Sequence, residues 1–219
     1  MSAAKTVSQP LYPTTGEPVA VNARRNRVGL WLCIASDVTG TVALLIAYSY
    51  LWSLNVNGKW APPKDAWAAD WLFWTIVVGA VIATVLMWGA YRRLIAGNRA
   101  AFVGLATVSS IVVLVTFALQ IYQVCTFPFD IQDGAYASAT FWLGFGAIYH
   151  LSIVLFLVPA MVLRARAGRI APDNASHPRL VATWMTWVCI ALALGAIFTT
   201  TMKASPNTLS PPFGTFVNE

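Results

Sequence analysis

Five long apolar segments, separated by short charged loops, constrain this chain more than anything else in its sequence. They run roughly over residues 28–54, 71–91, 101–124, 138–163 and 180–202. A helix needs about 20 apolar residues to cross ~30 Å of hydrocarbon, and each segment reaches that length. Lipid offers no partner for peptide N–H and C=O groups, so the spans must be helices that satisfy themselves. The sequence therefore predicts an all-α, polytopic membrane bundle of five transmembrane helices occupying residues 24–203. Residues 1–23, rich in polar residues and without an apolar core, read as a mobile N-terminal arm rather than a cleaved signal peptide. Residues 204–219 read as a Pro-rich tail.

The distribution of charge predicts an orientation. Lys5, Arg24, Arg25 and Arg27 precede the first span. Arg92, Arg93 and Arg99 occupy the second loop, and Arg164, Arg166, Arg169 and Arg179 the fourth. The other side carries only Lys59, Lys64 and Lys203. By the positive-inside rule the N-terminus is cytoplasmic and the C-terminus outside, which an odd number of spans permits. The net charge of +6 is thus a topology signal and not a nucleic-acid footprint. With 58% hydrophobic and 10% charged residues, the bundle leaves no room for a soluble catalytic domain.

Several chemistries are excluded or left without ligands. The three cysteines are far apart and form no C-x-x-C, so neither a disulfide framework nor a zinc or binuclear copper site is indicated. His150 is the one histidine in a predicted span, and bis-histidine haem ligation needs two per haem. There is no phosphate-binding Gly-rich loop, no intramembrane carboxylate pair and no Ser-His-Asp set. The expectation is no catalytic residue and no metal site in this chain.

Two intramembrane ionisable residues remain. Asp37 lies ~15 Å along its helix from Arg27, and His150 ~21 Å from Arg164, at ~1.5 Å per residue. They are expected at similar depth, and such residues are functional hypotheses by default. The plainer alternatives are a protonated Asp37 bonded to a neighbouring hydroxyl, and a His150 that only links two helices. Arg92, Arg93 and Arg99 are candidate contacts for lipid phosphate, with a purely topological role equally open.

A set of short motifs resembles subunit III of the haem–copper oxidases. The first span, from Arg27 to Asp37, is similar to the family helix that carries a Ser-Glu pair. Trp60, Pro62 and Pro63 match a Trp-x-Pro-Pro loop, and Gly97, Asn98 and Arg99 a Gly-Asp/Asn-Arg turn. Pro128, Phe129, Asp133, Gly134 and Tyr136 follow the family's Pro-Phe-x-Ile-x-Asp-Gly-x-Tyr pattern, and His150 falls at the second histidine of a His-Gly-x-His motif. The chain departs at Asp37 and Gln123, where the family has glutamates, at Ala147 in place of the first histidine, and through the last span, which lacks a Trp-His-Phe-Val-Asp signature.

The resemblance implies a five-helix form of the family. It further implies a non-catalytic component of a respiratory terminal oxidase, which reduces oxygen to water and pumps protons. Such a component holds no redox centre; haem and copper belong to partner subunits. Its partners would be the catalytic subunit I, other oxidase subunits and bound phospholipids. Asp37 and His150 would support lipid binding or proton uptake, in a bacterial-type inner or plasma membrane. Two rival readings are an accessory protein of a nitric oxide reductase and a small proton-linked transporter that uses Asp37 and His150. The absence of an internal repeat weighs against the transporter.

Overall fold

The computed structural model describes residues 19–206. Five helices dominate them: α1 (Val19–Leu54), α2 (Asp70–Ile95), α3 (Arg99–Cys125), α4 (Ala135–Arg166) and α5 (Ser176–Thr201). All five are long and apolar enough to cross a membrane, and the described residues contain no strand. The chain is a multi-pass membrane protein.

The helices outrun the apolar segments. Hydropathy falls where charged residues begin, but backbone hydrogen bonding continues into the interfacial layer, so Arg92, Arg93, Arg164 and Arg166 all lie in last helical turns. At the other extreme, α1 starts at Val19, so residues 19–23 belong to the first helix and not to an arm. The remainder of the arm and most of the tail lie outside the described residues. After Pro62 and Pro63 the chain makes a tight turn and no regular helix, with Lys64 and Asp65 at left-handed φ of 57° and 52°. Pro159 sits within α4 without ending it.

The α2, α3, α4 and α5 helices form the body, with α2 packed on α3 and α5, and α4 on α3 and α5. The α1 helix lies along α4 and α5. It buries one narrow stripe, including Ile34, Leu45 and Tyr48. Only 11% of its most apolar window is covered, against 44% for α2 and for α5. On its uncovered side Gly29, Cys33, Ser36, Gly40, Ala43 and Ala47 follow one another at spacings of four and three, all of them exposed. Nothing lies within 4 Å of where a side chain would start at Gly29 or Gly40. A groove of small residues runs down the open face of α1.

The two ends of the bundle differ in chemistry. One, the basic end, carries the arginines. There Asn98 caps α3 by accepting from the Ala101 N–H at 2.9 Å. Gly97, at φ +82°, makes the turn between α2 and α3.

At the opposite, aromatic end, the two connections fasten to each other. The N–H groups of Ala135 and Tyr136 donate to the carbonyls of Lys59 and Trp60 at 3.0 and 3.1 Å. Trp60 and Tyr136 meet edge to face with centroids 5.7 Å apart, and Tyr48, Trp67 and Phe129 also pack on Tyr136. Gly134, at φ +142°, is required here: a Cβ would lie 3.0 Å from the Lys59 carbonyl oxygen and 3.2 Å from that of Ala61. Asp133 closes the preceding turn by accepting from the Asp130 N–H at 2.7 Å.

Candidate functional site

Asp37, near the middle of α1, projects between α4 and α5. Its Oδ2 lies 2.6 Å from His150 Nε2 and accepts from Trp187 Nε1 at 2.5 Å. The two ionisable residues expected at similar depth are therefore in direct contact. Asp37 meets an imidazole and not a hydroxyl, and an indole from α5 joins the pair. His150 is 7% exposed, and the Asp37 side chain 19%. Trp184, one turn before Trp187 on α5, tilts against the imidazole with centroids 6.4 Å apart.

An indole N–H can only donate, so Oδ2 must accept from Trp187. The bond to His150 can run either way. A carboxylate would accept a proton held on Nε2, while a carboxylic acid would donate to a neutral imidazole. Carboxylate with imidazolium, or carboxylic acid with neutral imidazole, carries no net charge, which is the cheapest condition for two titratable groups away from water. A site of this kind can hold a proton without exposing a charge to lipid.

On the aromatic side of this pair a cavity of about 50 Å³ opens between the helices. Thr41, Phe73, Gln120, Gly144, Ala147 and His150 are among its lining residues. Gln120 donates through Nε2 to Gln123 Oε1 at 3.2 Å, and both glutamines are 2% exposed. Gln123 in turn lines a cleft of about 310 Å³ at the aromatic end, together with Trp67, Trp71, Tyr122 and Phe127.

The other residues singled out in the sequence have structural duties. Trp60, Phe129, Asp133, Gly134 and Tyr136 form the clasp between the two loops, flanked by Pro63 and Pro128. Arg99 donates through Nη2 to the carbonyls of Ala165 and Arg166, so it caps the C-terminal end of α4. Arg99 is nonetheless exposed, as are Arg92 and Arg93 at the end of α2. Among the described residues no group of three or more His, Cys, Asp or Glu side chains could hold a metal ion.

Trp187 was not a sequence candidate. The signal that could have found it is positional: Trp184 and Trp187 lie three apart, in the stretch of α5 at the depth of Asp37. No protein-family model matches this sequence, and no curated protein matches it either.

Proposed function

We propose that this chain is a non-catalytic, subunit III-like component of a respiratory haem–copper terminal oxidase, seated beside the catalytic subunit I. In this role it supports bound phospholipid, proton uptake and lasting turnover. The observation that carries the reading is that the scattered motif residues converge in space. Asp37 pairs with His150 across two helices, and Trp60 with Gly134 and Tyr136 across two loops. Residues far apart in sequence that resemble one family's motifs thus meet as two compact units.

The open face of α1 fits the same reading. Helix association in lipid relies on close backbone approach, which small residues permit. The groove from Gly29 to Ala47 is suited to a neighbouring transmembrane helix, for which subunit I is the natural source. By the positive-inside rule the basic end faces the cytoplasm and the aromatic end the outer side of a bacterial-type plasma membrane. Arg92 and Arg93 are then available to inner-leaflet phosphates.

A proton-linked transporter is the second reading, favoured by the shared proton of Asp37 and His150. Oxygen consumption by membranes with and without the chain separates the two. The oxidase reading expects a normal initial rate that decays faster during turnover when the chain is missing, with haem content retained. An unchanged rate and lifetime would contradict it, and solute flux through the purified chain in vesicles would select the transporter.

A further inference from the structure

We infer that the cavity beside His150 is a water site, and that the Asp37–His150 pair exchanges its proton with the aromatic end of the protein and not with the basic end. The polar groups are arranged in sequence. Asp37 touches His150, His150 lines the cavity, Gln120 lines its other side, and Gln120 bonds Gln123, which lines the open cleft. Gly144, Ala147 and His150 descend one face of α4, so this wall of the cavity spans about 9 Å along the axis at ~1.5 Å per residue.

The cavity has room for water, and its largely apolar wall carries three polar side chains, those of Thr41, Gln120 and His150. A buried water needs roughly 10–15 Å³ and two to four polar neighbours. The cavity of about 50 Å³ accommodates on the order of three waters by that measure. His150, 7% exposed, supplies its second ring nitrogen, Nδ1. Gln120 and Thr41 supply further polar atoms, and the Gln123 Nε2 is buried with no partner among the described residues. The orphaned Gln123 Nε2 lies at the cleft beyond Gln120, where ordered water would satisfy it.

On the basic side of the pair the cavity is much smaller, about 10 Å³, and is lined by Thr84 and Thr116 among otherwise apolar residues. Beyond His150, α4 presents Leu151, Val154, Val158 and Met161, all buried, and α5 adds Met185 and Val181. This apolar plug separates the pair from the arginine-bearing loops. Proton exchange is then one transfer: an imidazolium Nδ1–H gives its proton to cavity water, leaving a neutral imidazole and a hydronium that passes outward, and the reverse restores it. The route belongs to this bundle and needs no oxidase partner.

Cysteine accessibility tests it in the full chain held in lipid nanodiscs, where both ends face water. In a Cys33→Ala, Cys125→Ser, Cys189→Ser background, Ala147→Cys and Val154→Cys bracket His150 on its two sides. A small, charged, water-soluble methanethiosulfonate should modify the Ala147→Cys thiol at least an order of magnitude faster than the Val154→Cys thiol. Adding Gln120→Leu, which keeps bulk but removes the amide, should slow the first reaction. Equal rates, or faster reaction at Val154→Cys, would overturn the inference. So would an Ala147→Cys thiol that reacts only with an apolar, membrane-dissolved maleimide, since the cavity would then open to lipid. Elution as a single species by size-exclusion chromatography selects the variants that are scored, and Gly144→Cys replaces Ala147→Cys if that variant misfolds.

Discussion

The Asp37 carboxylate and the His150 imidazole, on helices α1 and α4, meet at 2.6 Å in the interior of a five-helix membrane bundle. The contact holds α1 against the body of the protein at a level where it otherwise buries only a narrow stripe. It also makes a proton-holding unit of two residues that would each be costly in lipid alone.

That coupling is measurable. Asp37→Asn can still accept from Trp187 and donate to His150, so it should cost little stability. Asp37→Ala leaves an imidazole and an indole N–H without their partner and should cost about 1–3 kcal/mol. In a double-mutant cycle, Trp187→Phe and Asp37→Ala should couple by roughly 0.6 kcal/mol, the average for hydrogen bonds between membrane helices, and by no more than about 1.7 kcal/mol. Thermal unfolding in mild detergent is the check, and strict additivity would mean that the bond contributes nothing.

The loop clasp yields a second expectation. At Gly134 the backbone has φ +142° and three carbonyl oxygens of residues 59–61 crowd the missing side chain. Gly134→Ala should therefore destabilise the protein by about 1–3 kcal/mol. Loss of the packing between Trp60 and Tyr136 should accompany it, visible in near-ultraviolet circular dichroism. Wild-type stability in this variant would show that the loops tolerate separation.

The small-residue groove of α1 gives the third. Gly40→Leu adds bulk where, among the described residues, no atom of another helix lies within 4 Å of the first side-chain carbon, so the isolated protein should keep its stability. Association with a membrane partner should fall sharply, as read by co-purification from native membranes. Unchanged recovery of that partner would place the interface on another face.

Much of this architecture was legible in the sequence. Apolar length located every span, and helical rise placed Asp37 and His150 at similar depths, ~15 and ~21 Å from the basic end. The turn at Gly97 and Asn98 was also visible, because a left-handed glycine followed by a capping asparagine is a local signal. What stayed hidden depends on packing. Hydropathy reads lipid-facing and buried apolar surface alike, so the outlying position of α1 left no trace in its composition. Trp187 was lost for a similar reason, since an indole within an apolar span passes as bulk until its N–H is seen to point at a carboxylate. Arg99 has a contact that its charge does not announce, donating to the C-terminal carbonyls of α4.

Affinity purification of the tagged full chain from native membranes in mild detergent, followed by a reduced-minus-oxidised absorption spectrum and subunit identification, tests the central claim most directly. An accessory oxidase subunit should bring with it a large haem-bearing, oxygen-reducing subunit in equal proportion, and the spectrum should show its haems. A colourless, well-behaved protein recovered without such a partner would contradict the claim, and recovery with a nitric oxide reductase in its place would move the chain to that complex.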